Sequence, residues 1–313
     1  MRMFVRSFIV FATVLACLLL AVPAEAQRVF VAAQGSDSNT CTFAAPCRTF
    51  QHAHDVLAAN GEIDVLDPAG YGALTISKAI SIQGHGFSGV SVPSTGTGIT
   101  INAPSTATVH LNGLLIDGGH VGQNGITFNG GQSLAIENSI VRNVTNDGLQ
   151  FFSNGTTLQT LAVSNSYFSD NDFGIDIQSF SSGPIKAAID RTVMDGNVSV
   201  GLYVGGLGGT GAVTVAVTDS VAANNPSQGF IVQSATSHSV SNLSLTHVLA
   251  EGNGIGVEAT GTNATLWLAQ STVTGSTLGG FNASSPGVIN SYGDNYFSAN
   301  GSNTGTLTSA IKQ

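Results

Sequence analysis

Apolar and polar residues alternate along this chain in short segments, and the same segment returns at regular intervals. The alternating triplet Leu134-Ala135-Ile136 is followed by a polar break and then by a glycine that opens a second segment, Gly148-Leu149-Gln150-Phe151. Similar triplets begin at residues 161, 187, 215, 243 and 266. The glycines at 125, 148, 174, 201, 229, 256 and 280 lie 23 to 28 residues apart. Strand-like repeats with a period in the twenties predict a solenoid.

The alternation also predicts which side chains face the core. Successive side chains of a strand point to opposite faces, so Leu134 and Ile136 should point inward and Ala135 outward. Stacked coils lie about 4.8 Å apart, so equivalent positions should form columns along the solenoid axis. The two inward columns are Leu134, Leu161, Ala187, Val215, Leu243 and Leu266, and Ile136, Val163, Ile189, Val217, Leu245 and Leu268. A polar column is expected at the bends, with amide groups that hydrogen-bond to the next coil: Asn138, Asn165, Arg191, Asp219, His247 and Gln270.

The first 26 residues have the features of a secretory signal peptide. Arg2 and Arg6 precede an apolar run, and a small-x-small site ends at Ala26. The apolar run is too short for a comfortable membrane span. Cys17 would suit a lipoprotein site, but the apolar run continues beyond it, which favours cleavage after Ala26. We therefore expect a secreted or periplasmic monomer that does not span the membrane.

The remaining chain divides into three parts. Residues 27–101 are predicted to form an N-terminal cap and the first coils, residues 102–297 the parallel β-helix repeats, and residues 298–313 a C-terminal tail. Between Arg48 and Asn60 the apolar residues have helical spacing, and Gly61 is a typical helix stop. A short helix at this point would cover the open end of the first coil.

The same N-terminal part resembles a known superfamily. Its motifs are Pro46-Cys47-Arg48-Thr49-Phe50-Gln51-His52-Ala53, Gly61-Glu62-Ile63-Asp64-Val65 and Pro68-Ala69-Gly70-Tyr71. With residues 80–86, they look like the first segment of the pectate-lyase-like superfamily. The resemblance implies an all-β fold, a right-handed parallel β-helix with a short N-terminal capping helix, and many members of the superfamily act on polysaccharides. No catalytic residue is carried over, because the chain has neither the adjacent Asp-Asp pair nor the Arg-x-Lys element of polygalacturonases.

Composition narrows the possible partners. Charged residues make up only 9% of the chain, and without the first 26 residues seven basic residues remain against seventeen acidic ones. An acidic surface repels phosphate backbones, so nucleic acid is not an expected partner. Cations and sugars are compatible with this composition. The expected partner is a polysaccharide.

Two cysteines, Cys41 and Cys47, follow the predicted signal peptide. In an exported protein such a nearby pair is most simply a disulfide that closes a small loop. The alternative is a metal site, for which His52 and His54 are the nearest further ligands in sequence.

The candidate catalytic residues are acidic. Asp172, Asp176 and Asp195 lie on loops or outward strand positions of successive coils, and Asp147 lies one coil earlier. Paired carboxylates can act as general acid and base on a glycosidic bond, or bind Ca²⁺ through oxygen ligands. The alternative is a solvated face on which aspartates serve as turn residues. No defined metal-ligand set emerges, so Ca²⁺ is the one cofactor considered.

Three further residues are candidates for substrate binding. Gln150 and Tyr203 should flank Asp176 in the neighbouring coils. Trp267 ends an outward column of small residues, Ala135, Ala162, Ala188, Ala216 and Ser244. A tryptophan there can stack on a sugar face, or it can shield the last coils.

A complete solenoid pattern beside an incomplete catalytic set favours one hypothesis. The chain is predicted to be an exported β-helix that binds extracellular or cell-wall polysaccharide, or that serves as an envelope surface scaffold. The alternative is a polysaccharide lyase or glycoside hydrolase that uses the acidic residues of the coils.

Overall fold

The structure, a computed structural model, describes residues 27–312. The predicted signal peptide, residues 1–26, lies outside the described residues, as does Gln313. The described chain is a right-handed parallel β-helix with one helix, as the sequence pattern predicts. Each regular coil consists of a first strand, a short second strand and a third strand, and each strand pairs in parallel with its equivalent in the next coil.

The strands form three stacks, which we call sheets 1, 2 and 3. The regular strands of sheet 1 are β9 (Ser133–Glu137), β12 (Gln159–Ser164), β15 (Ile185–Asp190), β18 (Val213–Thr218), β21 (Ser241–Thr246), β24 (Ala264–Ala269) and β27 (Val288–Ser291). Those of sheet 2 are β10 (Ile140–Arg142), β13 (Tyr167–Ser169), β16 (Val193–Asp195), β19 (Val221–Ala223), β22 (Leu249–Glu251), β25 (Thr272–Thr274) and β28 (Tyr296–Ser298). Those of sheet 3 are β11 (Asp147–Ser153), β14 (Phe173–Ser179), β17 (Val200–Gly206), β20 (Gln228–Ser234), β23 (Ile255–Thr260) and β26 (Gly279–Ser284).

The N-terminal part begins all three sheets. It contains β1 (Arg28–Val31), α1 (Phe50–Val56), β2 (Gly61–Val65), β3 (Ala69–Gly70), β4 (Leu74–Ile76), β5 (Ile80–Ser91), β6 (Thr97–Asn102), β7 (Thr108–Asp117) and β8 (Asn124–Gly130). The long strands β5 and β7 run through both sheets 1 and 2. Strands β4, β6 and β8 belong to sheet 3.

Helix α1 caps the first coil, but it is shorter than the apolar pattern suggests. The Thr49 hydroxyl accepts a hydrogen bond from the backbone N–H of His52 and so caps the N-terminus. Phe50 packs against the Tyr71 ring at a centroid distance of 5.1 Å. The helix ends at Val56 because Leu57 has extended backbone angles, and its side chain is buried instead.

The predicted inward columns form the core. Every member of the two columns is buried, and the strand register pairs Leu161 with Ala187 and Val163 with Ile189. In sheet 3 the Phe128 and Phe151 rings stack at 4.3 Å. Burial of such side chains contributes about 1.5–3 kcal/mol each. The hydrophobic alternation therefore fixes which face of each strand points inward.

The predicted bend column is confirmed by its backbone angles. Asn138, Asn165, Arg191, Asp219, His247 and Gln270 all have φ between 44° and 53°. This left-handed conformation turns the chain between the first and second strands, and it favours short polar residues. The sequence also predicts hydrogen bonds here from side-chain amides to the backbone of the next coil. These bonds lie mainly at the second bend, which precedes the third strand of each coil.

At the second bend, between the second and third strands of each coil, four buried asparagines form a ladder along the axis. Asn171, Asn197, Asn225 and Asn253 are fully buried. The Asn225 Oδ1 accepts hydrogen bonds at 3.0 Å from the backbone N–H and the side-chain amide of Asn197. The Asn225 amide donates in turn to the Met194 carbonyl and to the Asn253 Oδ1. The ladder thereby satisfies backbone groups that turn away from the strands.

The repeated glycines allow the coils to approach closely. A Cβ on Gly174 would lie 2.6 Å from the carbonyl oxygen of Gly201 and 3.0 Å from the Asn197 amide. A Cβ would likewise collide with the carbonyl oxygen of the next glycine in the column at Gly148, Gly201, Gly229 and Gly256. A side chain at these positions would force the coils apart.

The C-terminal segment contacts the last coil. Within the predicted tail, β29 (Leu307–Ser309) pairs with β27, and Lys312 forms an ion pair with Asp294. The strand covers the edge that β27 would otherwise leave open.

The two cysteines are joined, and the metal alternative is not supported. Cys41 and Cys47 form a disulfide with their Cα atoms 4.6 Å apart. His52 lies close enough to share a metal with them, but disulfide sulfurs are not thiolate ligands. His54 instead accepts a hydrogen bond from the backbone N–H of Ser77. Within residues 27–312, no helix is long and apolar enough to span a membrane.

The ladder yields a first prediction. Asn225→Ala should lower the free energy of unfolding by at least about 2 kcal/mol, because it leaves several buried polar groups without partners. Chemical denaturation at constant pH would measure the change. Asn242→Ala is the matched control, since Asn242 carries the same amide on the outer face of β21. Equal stability of the two variants would contradict a structural role for the ladder.

Candidate functional site

Two outer surfaces bring candidate residues together. The first, which we call the acidic face, lies on sheet 3 and consists of Asp147, Gln150, Asp172, Asp176 and Tyr203. The second, which we call the aromatic cleft, lies at the C-terminal end of sheet 1 around Trp267 and Tyr292. Asp195 belongs to neither surface.

The register of sheet 3 assembles the acidic face. Asp176 pairs with Gln150 of the preceding coil and with Tyr203 of the following coil, as predicted from the sequence. Asp147 begins the same strand as Gln150. The Gln150 amide donates a hydrogen bond of 2.7 Å to the Asp147 Oδ2. Asp172 lies just before β14 and accepts a hydrogen bond from the Ser199 hydroxyl.

The outward position of Asp176 does not make it exposed. Asp147 and Asp176 are only 3% and 5% exposed. The Gln178 amide donates a hydrogen bond of 2.8 Å to the Asp176 Oδ2. Among the described residues, the other carboxyl oxygen of Asp176 is buried without a hydrogen-bond partner. The solvated acidic face, the alternative to catalysis, is therefore wrong for these two aspartates, because neighbouring side chains exclude water from them.

Burial gives the two carboxyl groups unusual proton affinities. Burial, with a smaller contribution from the like charge of Asp172, raises the pKa of Asp147 to about 6 despite the Gln150 hydrogen bond. Burial and then the like charge of Asp147 raise the pKa of Asp176 well above its usual range, despite the Gln178 hydrogen bond. Burial and the neighbouring Asp176 also raise the pKa of Tyr203. Burial therefore favours the protonated form of both carboxyl groups.

The third predicted catalytic residue lies elsewhere. Asp195 is on β16 of sheet 2, where its carboxylate accepts hydrogen bonds from the Tyr167 hydroxyl and the Asn224 amide. Its position in the sequence resembles that of the other aspartates, but the second bend places it on a different side of the β-helix.

The acidic face does not fit Ca²⁺. This ion takes six to eight oxygen ligands. In the described part of the chain, Cys41, Cys47 and His52 are the one set of three potential ligand side chains whose donor atoms converge within 4.8 Å. No comparable set of acidic side chains converges at Asp147 and Asp176, so we derive no step through a bound metal.

Of the three basic residues of the coils, Arg142 and Arg191 are held by other partners. The Arg142 Nε atom donates a hydrogen bond of 2.9 Å to Asp117. Arg191 pairs with Asp190 and donates a hydrogen bond to Asn165. Lys186 lies on the outer face of β15 in sheet 1. These contacts of Arg142 and Arg191 do not involve Asp147 or Asp176.

The aromatic cleft is an open groove on the outside of sheet 1. Trp267 follows Ser244 in the outward column and precedes Asn290, as the strand register shows. The Trp267 and Tyr292 rings lie 6.2 Å apart at an angle of 31°. Both side chains are half-buried. They line two adjoining hollows of about 350 Å³ and about 940 Å³.

Polar groups surround the two rings. Ser244 and Thr246 line the smaller hollow, and Gln270, Asn290, Asp294 and Lys312 line the larger one. Lys312 and the backbone N–H of Gln270 hold the pKa of Asp294 below its usual range. The C-terminal segment thus forms one wall of the cleft. The place of Trp267 in the outward column is visible in the sequence, whereas Tyr292 follows β27 directly and has no such signal.

The buried carboxyl groups yield a second prediction, on stability and pH. The folded protein holds protons on Asp147 and Asp176 that the unfolded chain releases at lower pH. Their contribution to the free energy of unfolding is therefore largest below about pH 4. It decreases as the pH rises through about 6, the raised pKa of Asp147. Asp176→Asn should weaken this fall and raise the free energy of unfolding by at least about 1.4 kcal/mol near pH 8.

Denaturation of both proteins across this pH range provides the measurement. Asp170→Asn is a suitable control, because Asp170 is an exposed bend residue with φ 54° that asparagine tolerates. If wild type and Asp176→Asn lose stability in parallel as the pH rises, burial of the Asp176 proton is excluded.

Comparison with known proteins concerns the fold. No protein-family model and no curated protein sequence matches the chain. Pectate lyase Pel9A is 17% identical over 93% of this chain and 80% of its own chain, with a TM-score of 0.59. The A-modules of the mannuronan C-5 epimerases AlgE6 and AlgE4 of Azotobacter vinelandii are 16% and 11% identical. They cover 84% and 81% of this chain and 94% and 91% of their own, with TM-scores of 0.44 and 0.40. The chain therefore shares the parallel β-helix fold of Pel9A, which is the fold that its N-terminal motifs imply.

Proposed function

We propose that the protein binds an extracellular or cell-wall polysaccharide at the aromatic cleft. The observation that carries this proposal is the Trp267–Tyr292 pair, two half-buried rings side by side in an open groove. Aromatic rings offer a large apolar surface to the C–H face of a sugar, while hydroxyl and amide groups bind its hydroxyls. Ser244, Thr246 and Asn290 supply such groups.

Other features support the same proposal. The fold is shared with a pectate lyase, an enzyme named for a polysaccharide. The predicted signal peptide and the Cys41–Cys47 disulfide are consistent with a secreted or periplasmic protein. The continuous β-helix would act as a rigid support that holds the cleft open. We propose that the protein is a monomer, because each coil finds its partners within the same chain.

Binding at the cleft is the third prediction. Trp267 is the one tryptophan in the sequence, so tryptophan fluorescence reports on the cleft alone. The protein without its predicted signal peptide, which begins at Gln27, is titrated with a panel of soluble polysaccharides. At least one of them should change this fluorescence. Trp267→Ala should weaken that binding at least about ten-fold, or ~1.4 kcal/mol, in calorimetric titration.

The control is Tyr296→Ala, which removes an exposed aromatic ring that does not line the cleft. It should bind as tightly as wild type. If no polysaccharide in the panel binds, the protein is better described as a surface scaffold. If Trp267→Ala binds normally, the ligand uses another surface.

The acidic face supports a second candidate function, hydrolysis of a glycosidic bond. The observation behind it is a pair of buried carboxyl groups on adjacent coils, both with a raised pKa. In this proposal Asp147 is the base that activates water and Asp176 is the acid that protonates the leaving oxygen, once substrate binding moves aside the side chains that bury them. A lyase reaction is less well supported, because the nearby Arg142 is bound to Asp117.

Hydrolysis gives the fourth prediction. The purified protein should release reducing ends from a polysaccharide without the absorbance of an unsaturated product. Asp176→Asn should lower the rate at least about 100-fold, because the general acid is lost. Asp195→Asn, on sheet 2, should leave it unchanged. Unsaturated product would instead indicate a lyase, and equal rates in wild type and Asp176→Asn would exclude the acidic face.

A further inference from the structure

The charged side chains of the aromatic cleft indicate whether its ligand is a charged or a neutral polysaccharide. Two charged side chains line the described cleft, Asp294 and Lys312. The Lys312 Nζ lies 2.7 Å from the Asp294 Oδ2, so the two charges largely cancel. The other residues that line it are uncharged. A ligand in this cleft therefore meets rings, hydroxyls and amides, without an uncompensated cation.

The surface that leads to the cleft is also uncharged. The outward positions of β18, β21 and β24 form three columns between the middle of the β-helix and Trp267. Their members are Thr214, Ala216, Thr218, Asn242, Ser244, Thr246, Thr265, Trp267 and Ala269. Charged residues return in the preceding coil, at Lys186 and Asp190 of β15. A polymer chain that extends from the cleft over these three coils thus contacts uncharged side chains, most of them threonine, serine, asparagine or alanine.

The whole molecule adds a longer-range effect. The formal net charge is −9, and the cleft provides no positive patch to offset it. A polymer with one carboxylate on each sugar would be repelled as it approached, and it would lose the hydration of its carboxylates without gaining ion pairs. A neutral polymer meets neither cost. It loses only hydroxyl hydration, which the serine, threonine and asparagine side chains replace.

We infer that the aromatic cleft selects neutral polysaccharides, made of uncharged pyranose units, over polyuronates. This inference rests on the proposed function, and it names the ligand class of the same site. The unit that stacks on Trp267 and Tyr292 presents its C–H face to the rings, and its hydroxyls contact Asn290 and Ser244. The Asp294–Lys312 pair closes the wall of the cleft and does not bind a ligand charge.

Paired titrations test this selectivity. The probes are soluble neutral glycans (a β-1,4-glucan, a β-1,3-glucan and a galactomannan) and two polyuronates (polygalacturonate and alginate), each titrated at low and high ionic strength. Trp267 fluorescence and calorimetry provide the readout. We expect at least one neutral glycan to bind about ten-fold or more tightly than either polyuronate. Its affinity should be unchanged by salt, because screening affects only charged ligands.

Two sets of variants locate the binding and the charge. Trp267→Ala should weaken neutral-glycan binding at least about ten-fold, whereas Trp267→Tyr should retain most of it because a ring remains. Thermal unfolding confirms that each variant is folded. Lys186→Gln removes a charge outside the cleft, on the outer face of β15, and should bind the neutral glycan within about two-fold of wild type.

The outcomes separate this inference from the proposed function. Preferential binding of a polyuronate, weakened by salt and by Lys312→Gln and lost in Trp267→Ala, would overturn the neutral class while leaving polysaccharide binding at the cleft intact. Binding of neither class would overturn both. Neutral-glycan binding that survives in Trp267→Ala would remove the cleft as the site and the inference with it.

Discussion

The close approach of successive coils along the glycine column is the constraint on which the rest of the structure depends. At Gly148, Gly174 and Gly201 the next coil comes so near that a Cβ would collide with its backbone. This proximity keeps the strands of sheet 3 in hydrogen-bonding register. It also brings the buried asparagines within reach of each other, so that Asn197 and Asn225 bond both to the backbone and along the ladder. The core columns then pack because the register is already set.

The same regularity determines how the outer surface behaves. Side chains in one outward row of sheet 3 are neighbours because their coils are neighbours, whatever their chemistry. Asp176 thus lies between Gln150 and Tyr203, loses contact with water, and gains no cation in return. As a result, the pKa of this carboxyl group lies well above its usual range. On sheet 1 the corresponding row is small and neutral until it meets Trp267.

Both ends of the β-helix depart from the repeat, and the departures have different consequences. At the N-terminus, α1 and the Cys41–Cys47 loop cover the first coil. At the C-terminus, β29 pairs with β27, and the segment that follows it forms a wall beside Trp267 and Tyr292. The element that closes the last edge therefore also shapes the cleft. A cap, which any solenoid requires for solubility, here also contributes to the proposed binding surface.

The sequence by itself determined the period, the inward and outward faces of the strands, the bend residues from Asn138 to Gln270, and the pairing of Cys41 with Cys47. These features follow from local alternation, from backbone preferences and from short loops, all of which are visible within one repeat. It also placed Gln150 and Tyr203 beside Asp176, because equal offsets from each glycine give equal positions in the coil. The ladder of Asn171, Asn197, Asn225 and Asn253 has the same period and was missed, because asparagine is so frequent at exposed turns of this chain.

Only the tertiary structure decided which outward residues share a surface and how far water reaches them. Asp195 and Asp176 look equivalent in the sequence, but the second bend assigns them to different sheets. Tyr292 joins Trp267 across two successive coils, and Lys312 reaches Asp294 from the end of the chain. Burial of Asp147 and Asp176 is likewise set by side chains of adjacent coils. Local pattern fixes the direction of a side chain, whereas its neighbours, and with them its exposure and proton affinity, are fixed by how the coils bend and stack.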